Sequence, residues 1–437
     1  MKVVNTTTFR RGIHFFLCII ALFSLSFCTS NPKKIGNAKA SSISREKIDF
    51  NIEWNNEFID SYALAAPYSV ENDLDSLAFY LTYPFQTERA KARAIFRWIA
   101  SNIEYDWESL QSGAYIRNSM EAKDVLKSRS TVCEGYSNLF KELANRAGLE
   151  SEKIIGYAKG YGYNPDQALG GVDHAWNAIK IGGEWKLVDV TWAGGGDRVA
   201  NREKKFNDFY FLTPPEHFIN DHLPSITKWQ LLDRPISKAE FHKNVKKSPH
   251  YFKLGINNLN FEKYIIRSSA IFSIQFETTK KLKFHVYLNQ SDKHYFVSQY
   301  NNGYGIHIIS PGKGTYSLKL YGNETSEKDG LQFLLEYKVI FNSGHKDNQF
   351  VTIYSGDHTI HDPMLKFLNA YQLYDFKFTV PGIRRIAFID GNRKWTYYEN
   401  QNSDYYFIRN YFPKGKLTIN IDIGKNSWPT IAEYYVK

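Results

Sequence analysis

Cysteine is scarce in this chain: three residues in 437, at Cys18, Cys28 and Cys133. Two of them fall in an N-terminal apolar segment, so the body of the protein keeps one thiol. That excludes a disulfide framework and a cysteine-built zinc site. A dense basic block with interleaved aromatics is also missing. Of the formal net charge of +10, three positives are Lys2, Arg10 and Arg11 near the N-terminus, and the remaining Lys and Arg are scattered among acids. This argues against nucleic-acid binding and leaves only a loose attraction to anionic polymers or lipid headgroups. There is no acidic cluster of the calcium-loop type, so no calcium requirement is expected, and no other metal or organic cofactor is implied.

What is present describes a globular chain with room for about three domains at ~150 residues each. Hydrophobic residues make up 43% and charged residues 23%, enough apolar surface to build cores. Aromatics reach 16%, mostly Tyr and Phe, which suits strands and sandwich cores; sugar-stacking surfaces are the second reading.

Residues 1–28 read as an export signal. Lys2, Arg10 and Arg11 precede an uncharged apolar run of 15 residues from Ile13 to Phe27. A spanning helix needs ~20. Leu25-Ser26-Phe27-Cys28 resembles a bacterial lipobox, which makes Cys28 the expected lipidation site and mature N-terminus. Phe27 departs from the small residue usual before that cysteine, so an ordinary cleaved signal and a retained anchor are the alternatives. Residues 29–50 are polar and without periodicity, as a tether would be. The expected setting is the cell envelope, held by an N-terminal lipid in a leaflet the sequence does not specify.

The chemistry centres on Thr131-Val-Cys-Glu-Gly-Tyr-Ser-Asn-Leu-Phe-Lys-Glu-Leu-Ala-Asn-Arg-Ala-Gly148. Ser130 or Thr131 can cap a helix here and Gly148 can end it. Tyr136, Phe140, Leu143, Ala144 and Ala147 recur at helical spacing and mark a buried face. Cys133 falls in the first turn, where free N–H groups and the helix dipole favour a thiolate. Upstream, Thr87 to Asp106 predicts a core helix with an apolar stripe of Ala92, Ile95, Phe96, Ile99 and Ile103.

Downstream lies a hairpin: Asp173 to Ile181, Gly182-Gly183, then Glu184 to Trp192. A two-residue Gly-Gly turn sets Ile181 opposite Glu184, hence Trp176 opposite Asp189 and His174 opposite Thr191. His174 and Asp189 then become diagonal neighbours on one face, within hydrogen-bonding reach. A one-residue slip would put them on opposite faces. Buried in an apolar strand, Asp189 would be costly without a partner. Cysteine, histidine and aspartate together suit covalent acyl transfer: a thiolate attacks a carbonyl, imidazole shuttles the proton, and the carboxylate orients the imidazole. The bland readings are an inert core thiol at Cys133, a structural strand histidine at His174, and core or cleft-wall packing for Trp176, Trp185 and Trp192. Tyr136 either lines the cleft or packs.

These contexts resemble the transglutaminase-like superfamily, within the papain-like arrangement of a cysteine helix on a sheet. Val132-Cys-Glu-Gly-Tyr-Ser is similar to its cysteine box, His174-Ala-Trp-Asn to its histidine box and Trp185-Lys-Leu-Val-Asp-Val-Thr-Trp to its aspartate box. Ile95-Phe-Arg-Trp-Ile-Ala-Ser-Asn-Ile-Glu-Tyr-Asp is similar to the lead-in helix of the branch named after the kyphoscoliosis peptidase, here in a bacterial, exported setting. The resemblance covers roughly residues 55–215. It implies Cys133 as nucleophile, His174 as general base and acid, and Asp189 as orienter. The superfamily includes peptidases, transglutaminases, amidases and members without a working triad. A second oxyanion donor has only weak candidates between Asn102 and Trp107.

The expected fold is therefore α+β: a catalytic domain over 51–235, closed by a Gly-, Asn- and Pro-rich linker or wrap from 193 onward, then two β-sandwich, immunoglobulin-like domains near 245–342 and 343–437. Alternating segments such as Leu282–Leu288, Arg385–Ile389 and Ile431–Val436 supply the strands. A weak repeat supports the pairing: Gly314-Thr-Tyr-Ser-Leu-Lys-Leu with Glu336-Tyr echoes Gly415-Lys-Leu-Thr-Ile-Asn-Ile with Glu433-Tyr. The expected activity is an envelope peptidase or amidase acting on protein, peptide or cell-wall peptide. Cross-linking by transamidation is the alternative, and a non-enzymatic surface module with a degenerate cleft is a third reading.

Overall fold

The computed structural model describes residues 55–437 apart from 118, 197–205, 301, 345–348 and 355–357. The export signal, Cys28 and the tether lie outside the described residues. Among the described residues, no helix is long and apolar enough to cross a membrane.

Three helices lead in: α1 (Asn56–Leu64), α2 (Leu74–Thr82) and α3 (Glu88–Asn102). Asn55, Asp73 and Thr87 each accept a first-turn N–H, Thr87 from Ala90 at 3.2 Å. The expected stripe of α3 is fully buried, Ala92, Ile95, Phe96, Ile99 and Ile103 all at 0% exposure. Arg93 on the same helix is buried too. It pairs with Asp60 of α1 at 2.7 Å and with Asp208, and lies over the Phe206 and Phe211 rings. A buried guanidinium is tolerated because both charge and donors are matched.

The cysteine helix, α4, runs Cys133–Arg146. Tyr136, Phe140, Leu143 and Ala144 are buried, with Ala147 at the rim. Gly148 follows with φ +77 and the chain turns away, as expected. The start differs from expectation. Ser130 and Thr131 do not cap; they form a short parallel pair with Glu104–Tyr105, and Val132 takes the N-cap position with no side-chain bond. The Thr131 hydroxyl is spent on Met120 Sδ and sits where a side chain on residue 135 would be: an ideal Cβ there would lie 2.1 Å from Thr131 Oγ1. Only glycine fits that turn.

Against α4 lies an antiparallel sheet of β1 (Ser151–Ala158), β2 (His174–Ile181), β3 (Glu184–Val188), β4 (Phe211–Thr213) and β5 (His222–Pro224), ordered β4-β3-β2-β1-β5. The hairpin has the register that the turn dictates, Ile181 opposite Glu184 and Asn177 opposite Val188, with φ of +60 and +83 at Gly182 and Gly183. Its second strand is shorter than expected. β3 stops at Val188, and Asp189 becomes the N-cap of a one-turn helix, Val190–Ala193, accepting Trp192 N–H at 3.0 Å. The stretch read as a linker or wrap supplies both edges of the sheet. At three residues each, β4 and β5 are too short to show alternation, and prolines flank them.

This is a cysteine helix packed on an antiparallel sheet, followed by two-sheet sandwiches. The first sandwich sets Leu282–Leu288, Gly314–Glu324, Gln332–Phe341 and Ile265–Ser268 in one sheet, and Tyr295–Tyr300, Gly303–Ile309 and Ile271–Glu277 in the other. Its core contains Ile274, Ile306, Leu318 and Tyr337. A separate core around Phe376, Phe388, Ile419 and Tyr434 holds the second. The sequence echo falls on equivalent hairpins: Gly314 pairs with Phe341 and Lys319 with Glu336, as Gly415 pairs with Val436 and Thr418 with Glu433.

Candidate active site

Each element delivers one group. α4 presents Cys133, partly exposed, in its first turn. β2 begins at His174, which is 8% exposed. β3 ends immediately before Asp189, at 0% exposure. Asn177, opposite Val188 at the open end of the β2–β3 pairing, donates its amide to Ser137 O at 3.0 Å and so fixes the histidine strand to the cysteine helix.

The contact that the turn predicted is present. His174 Nε2 lies 2.7 Å from Asp189 Oδ2. The other ring nitrogen, Nδ1, is not used by Asp189, and Cys133 is close enough to act on the same imidazole. Burial would push His174 down, but the Asp189 carboxylate first, and then Cys133, outweigh it and raise the imidazole to about 10. Burial likewise works against the Asp189 carboxylate, yet His174 and a second histidine hold it well below the usual carboxylate range. The arrangement favours an imidazolium paired with the Asp189 carboxylate.

That second histidine, His222, was not singled out in the sequence. Its Nε2 lies 2.9 Å from the same Oδ2, and its Nδ1 lies 2.7 Å from Asp221 Oδ1. It is brought in by β5, which can approach β1 because Gly156 has no side chain: a Cβ there would sit 2.2 Å from Leu223 O. The only signal in the sequence was an Asp-His pair in a stretch that reads as irregular.

His174, Asp189 and His222 place one ligand atom each within 4.8 Å of one another, the spacing of a metal cluster. The hydrogen bonds argue against that use, since Asp189 Oδ2 accepts from both Nε2 atoms and neither nitrogen keeps a lone pair for a cation.

Around this cluster, Trp192 and Trp176 pack with ring centroids 5.3 and 5.9 Å from His174, and Trp185 packs on Trp229, so all three are wall or core residues. Tyr136 packs: its hydroxyl donates to Ile103 O at 2.6 Å. Asn102 donates its amide to Trp98 O at 2.9 Å. Tyr105, opposite Thr131, is the candidate-region residue that feels Cys133. Burial, then the Cys133 charge, raise its phenol above the usual range. Tyr105, Asp106, Trp107 and Ser130 line a depression of about 670 Å³ beside the strand pair leading into α4.

Residues 75–190 match the transglutaminase-like superfamily. The chain carries a transglutaminase-like domain. Residues 238–352 match the KY-like, immunoglobulin-like domain, which covers the first sandwich. Over 287 residues the chain is 33% identical to the kyphoscoliosis peptidase of Homo sapiens, covering 65% of this chain and 42% of that one. It is 34% identical to the Mus musculus protein of the same name over 271 residues, covering 61% and 40%. The chain thus spans about two fifths of the length of these relatives. Among solved structures, a TGase matches 39% of this chain and 40% of its own, at 19% identity and a TM-score of 0.23.

Proposed function

We propose that the transglutaminase-like domain is a thiol-dependent acyl-transfer enzyme acting on peptide or amide bonds, with hydrolysis as its main reaction. The observation that carries this reading is one buried imidazole bonded to the Asp189 carboxylate at 2.7 Å and raised further by the partly exposed Cys133 thiol beside it. The two curated relatives named above, called peptidases, favour the same direction.

In the first half-reaction Cys133 Sγ, as thiolate, bonds to the substrate carbonyl carbon and the carbonyl π electrons move to oxygen. The backbone N–H of Cys133, in the first turn of a helix with no side-chain cap, supplies one donor to that oxyanion. The oxyanion collapses, the carbon–nitrogen bond breaks, and imidazolium His174 gives its proton to the departing amine. In the second half-reaction His174 takes a proton from water, whose oxygen displaces the thiolate from the thioester and releases the acid. Asp189 keeps the imidazole in place and stabilises its charge throughout. Transamidation differs only in that an amine replaces water in the second half.

A protein substrate supplied with a labelled primary amine separates the two outcomes. A hydrolase should give new N-termini and little amine incorporation, with both lost in Cys133→Ala. Amine incorporation without cleavage would reassign the reaction to cross-linking; absence of both, with a thiol that behaves as a free one, would leave a binding cleft.

The N-terminal pattern, Lys2, Arg10 and Arg11 followed by the apolar run to Cys28, supports a bacterial cell-envelope enzyme held by lipid on Cys28. Labelled fatty acid should enter the wild-type chain and not Cys28→Ala; equal labelling of the two would remove the anchor.

A further inference from the structure

Asp189 is shared. Its Oδ2 accepts from His174 at 2.7 Å and from His222 at 2.9 Å, while Oδ1 accepts the Trp192 N–H at 3.0 Å. The unused face of His222 is also committed, with Nδ1 2.7 Å from Asp221 Oδ1. Both ring nitrogens therefore face carboxylate oxygens. An ionised carboxylate offers only lone pairs, so opposite two ionised carboxylates each ring nitrogen acts as a donor. The burial of His222 is complete, at 0% exposure, with Asp221 at 1%.

The surroundings fit a held charge. Phe218 stacks on the ring at 4.2 Å between centroids, and Trp192 lies at 4.3 Å. Asp221 has two more partners: the Tyr210 hydroxyl donates to Oδ2 at 3.1 Å, and the Lys159 N–H donates to its backbone carbonyl at 2.9 Å. The Lys159 ammonium faces Asp221, and Lys246 lies over the Trp192 ring at 5.4 Å. The groups facing His222 are thus Asp189, His174, Asp221 and Tyr210, with Asp173, Lys159 and Lys246 beyond.

We propose that His222, held by Asp221, is a positioning residue that locks the Asp189 carboxylate on His174 and adds a second buried cation behind the reactive pair. This rests on the acyl-transfer reading of Cys133, His174 and Asp189. With two N–H donors on one oxygen and a third on the other, the carboxylate cannot rotate away from His174 without losing bonds in a dry site. With His174 keeping its proton through neutral pH, the His222 charge also favours the thiolate form of Cys133. Both effects act on the pH at which the thiol becomes reactive.

The test is the pH profile of Cys133 alkylation by iodoacetamide in the full chain, read together with the unfolding midpoint. His222→Phe keeps an aromatic ring for Phe218, Trp176 and Trp192 and removes both donors and the charge. It should keep a cooperative transition and move the acid limb up by about one pH unit, so that labelling at mildly acidic pH slows about tenfold. His222→Gln can still donate to Asp189 and should recover part of that loss, which a role in packing alone would not produce. Asp221→Asn keeps the shape and removes the charge that holds His222; it should shift the limb in the same direction by less, and it decides the matter if His222→Phe does not fold. Profiles of His222→Phe and Asp221→Asn that superimpose on a low-pH wild-type profile would overturn this inference and leave the acyl-transfer reading standing. A wild-type thiol that reacts only at alkaline pH would overturn both.

Discussion

At the level of single residues, a carboxylate with three donors and an imidazole with two anionic neighbours should dominate the pH response. Asp189→Asn preserves shape but turns an acceptor toward the wrong tautomer, and turnover should fall by about 10²–10⁴ with substrate binding little changed. The charged pair also enters stability. The His174 imidazole is raised to about 10 in the fold against ~6.5 in the unfolded chain, so its contribution is complete below ~6.5 and is lost as pH rises through about 10. Asp189 is held below its ordinary value, so its contribution is present above ~3.9 and lost as pH falls. The two overlap between about pH 4 and 6.5. His174→Gln should therefore lower the unfolding midpoint most in that window and least near pH ~10. A deficit independent of pH would contradict the charge assignment.

At the level of elements, the start of the cysteine helix is the tightest joint. Gly135→Ala would push a methyl to 2.1 Å from Thr131 Oγ1, forcing apart α4 and the Glu104–Tyr105/Ser130–Thr131 pair. A loss of about 1–3 kcal/mol in denaturant unfolding is expected, and a neutral result would show that the turn can widen. Arg93→Ala should cost about 1.5–3 kcal/mol in denaturant unfolding, since it removes the charged hydrogen bonds to half-buried Asp60, which keeps only Arg97 at 3.5 Å. The legible elements were those whose pattern is long or whose turn is forced. Fifteen residues of α3 repeat one stripe, and Gly182-Gly183 admits one register, which by itself brought His174 to Asp189. The end of β3 was missed because Val190 to Trp192 look as apolar in a one-turn helix as in a strand. The cap was misread because Thr131 has a competing partner in Met120, eleven residues away in sequence. His222 was invisible because nothing local marks a three-residue edge strand; it is placed by Gly156 and by packing across the sheet.

At the level of the molecule, the first sandwich does more than follow the site. Lys159, at 0% exposure, donates to Asn244 O at 2.7 Å and lies 4.6 Å from the Phe241 ring, both in the segment that enters the sandwich. Burial, only partly offset by Asp221, lowers its amine to about 7. Lys338 of the sandwich also reaches Asp166, in the loop between β1 and β2, at 2.8 Å. Cutting the chain after residue 235 would uncover Lys159 behind Asp221, whereas cutting after 352 would not. The shorter piece should unfold at lower temperature and label Cys133 less readily in acid, and the longer piece should match the full chain. Equal behaviour of both pieces would make the sandwiches independent of the site.

The proposed chemistry stands on Cys133 being a thiolate paired with His174. The measurement is the rate of Cys133 alkylation against pH in the folded full chain, with His174→Ala beside it. A free thiol titrates near ~8.5. Labelling should be fast at mildly acidic pH and slow sharply in His174→Ala. Labelling confined to alkaline pH and unchanged by the substitution would contradict that pairing, and would leave the domain a transglutaminase-like scaffold without its chemistry.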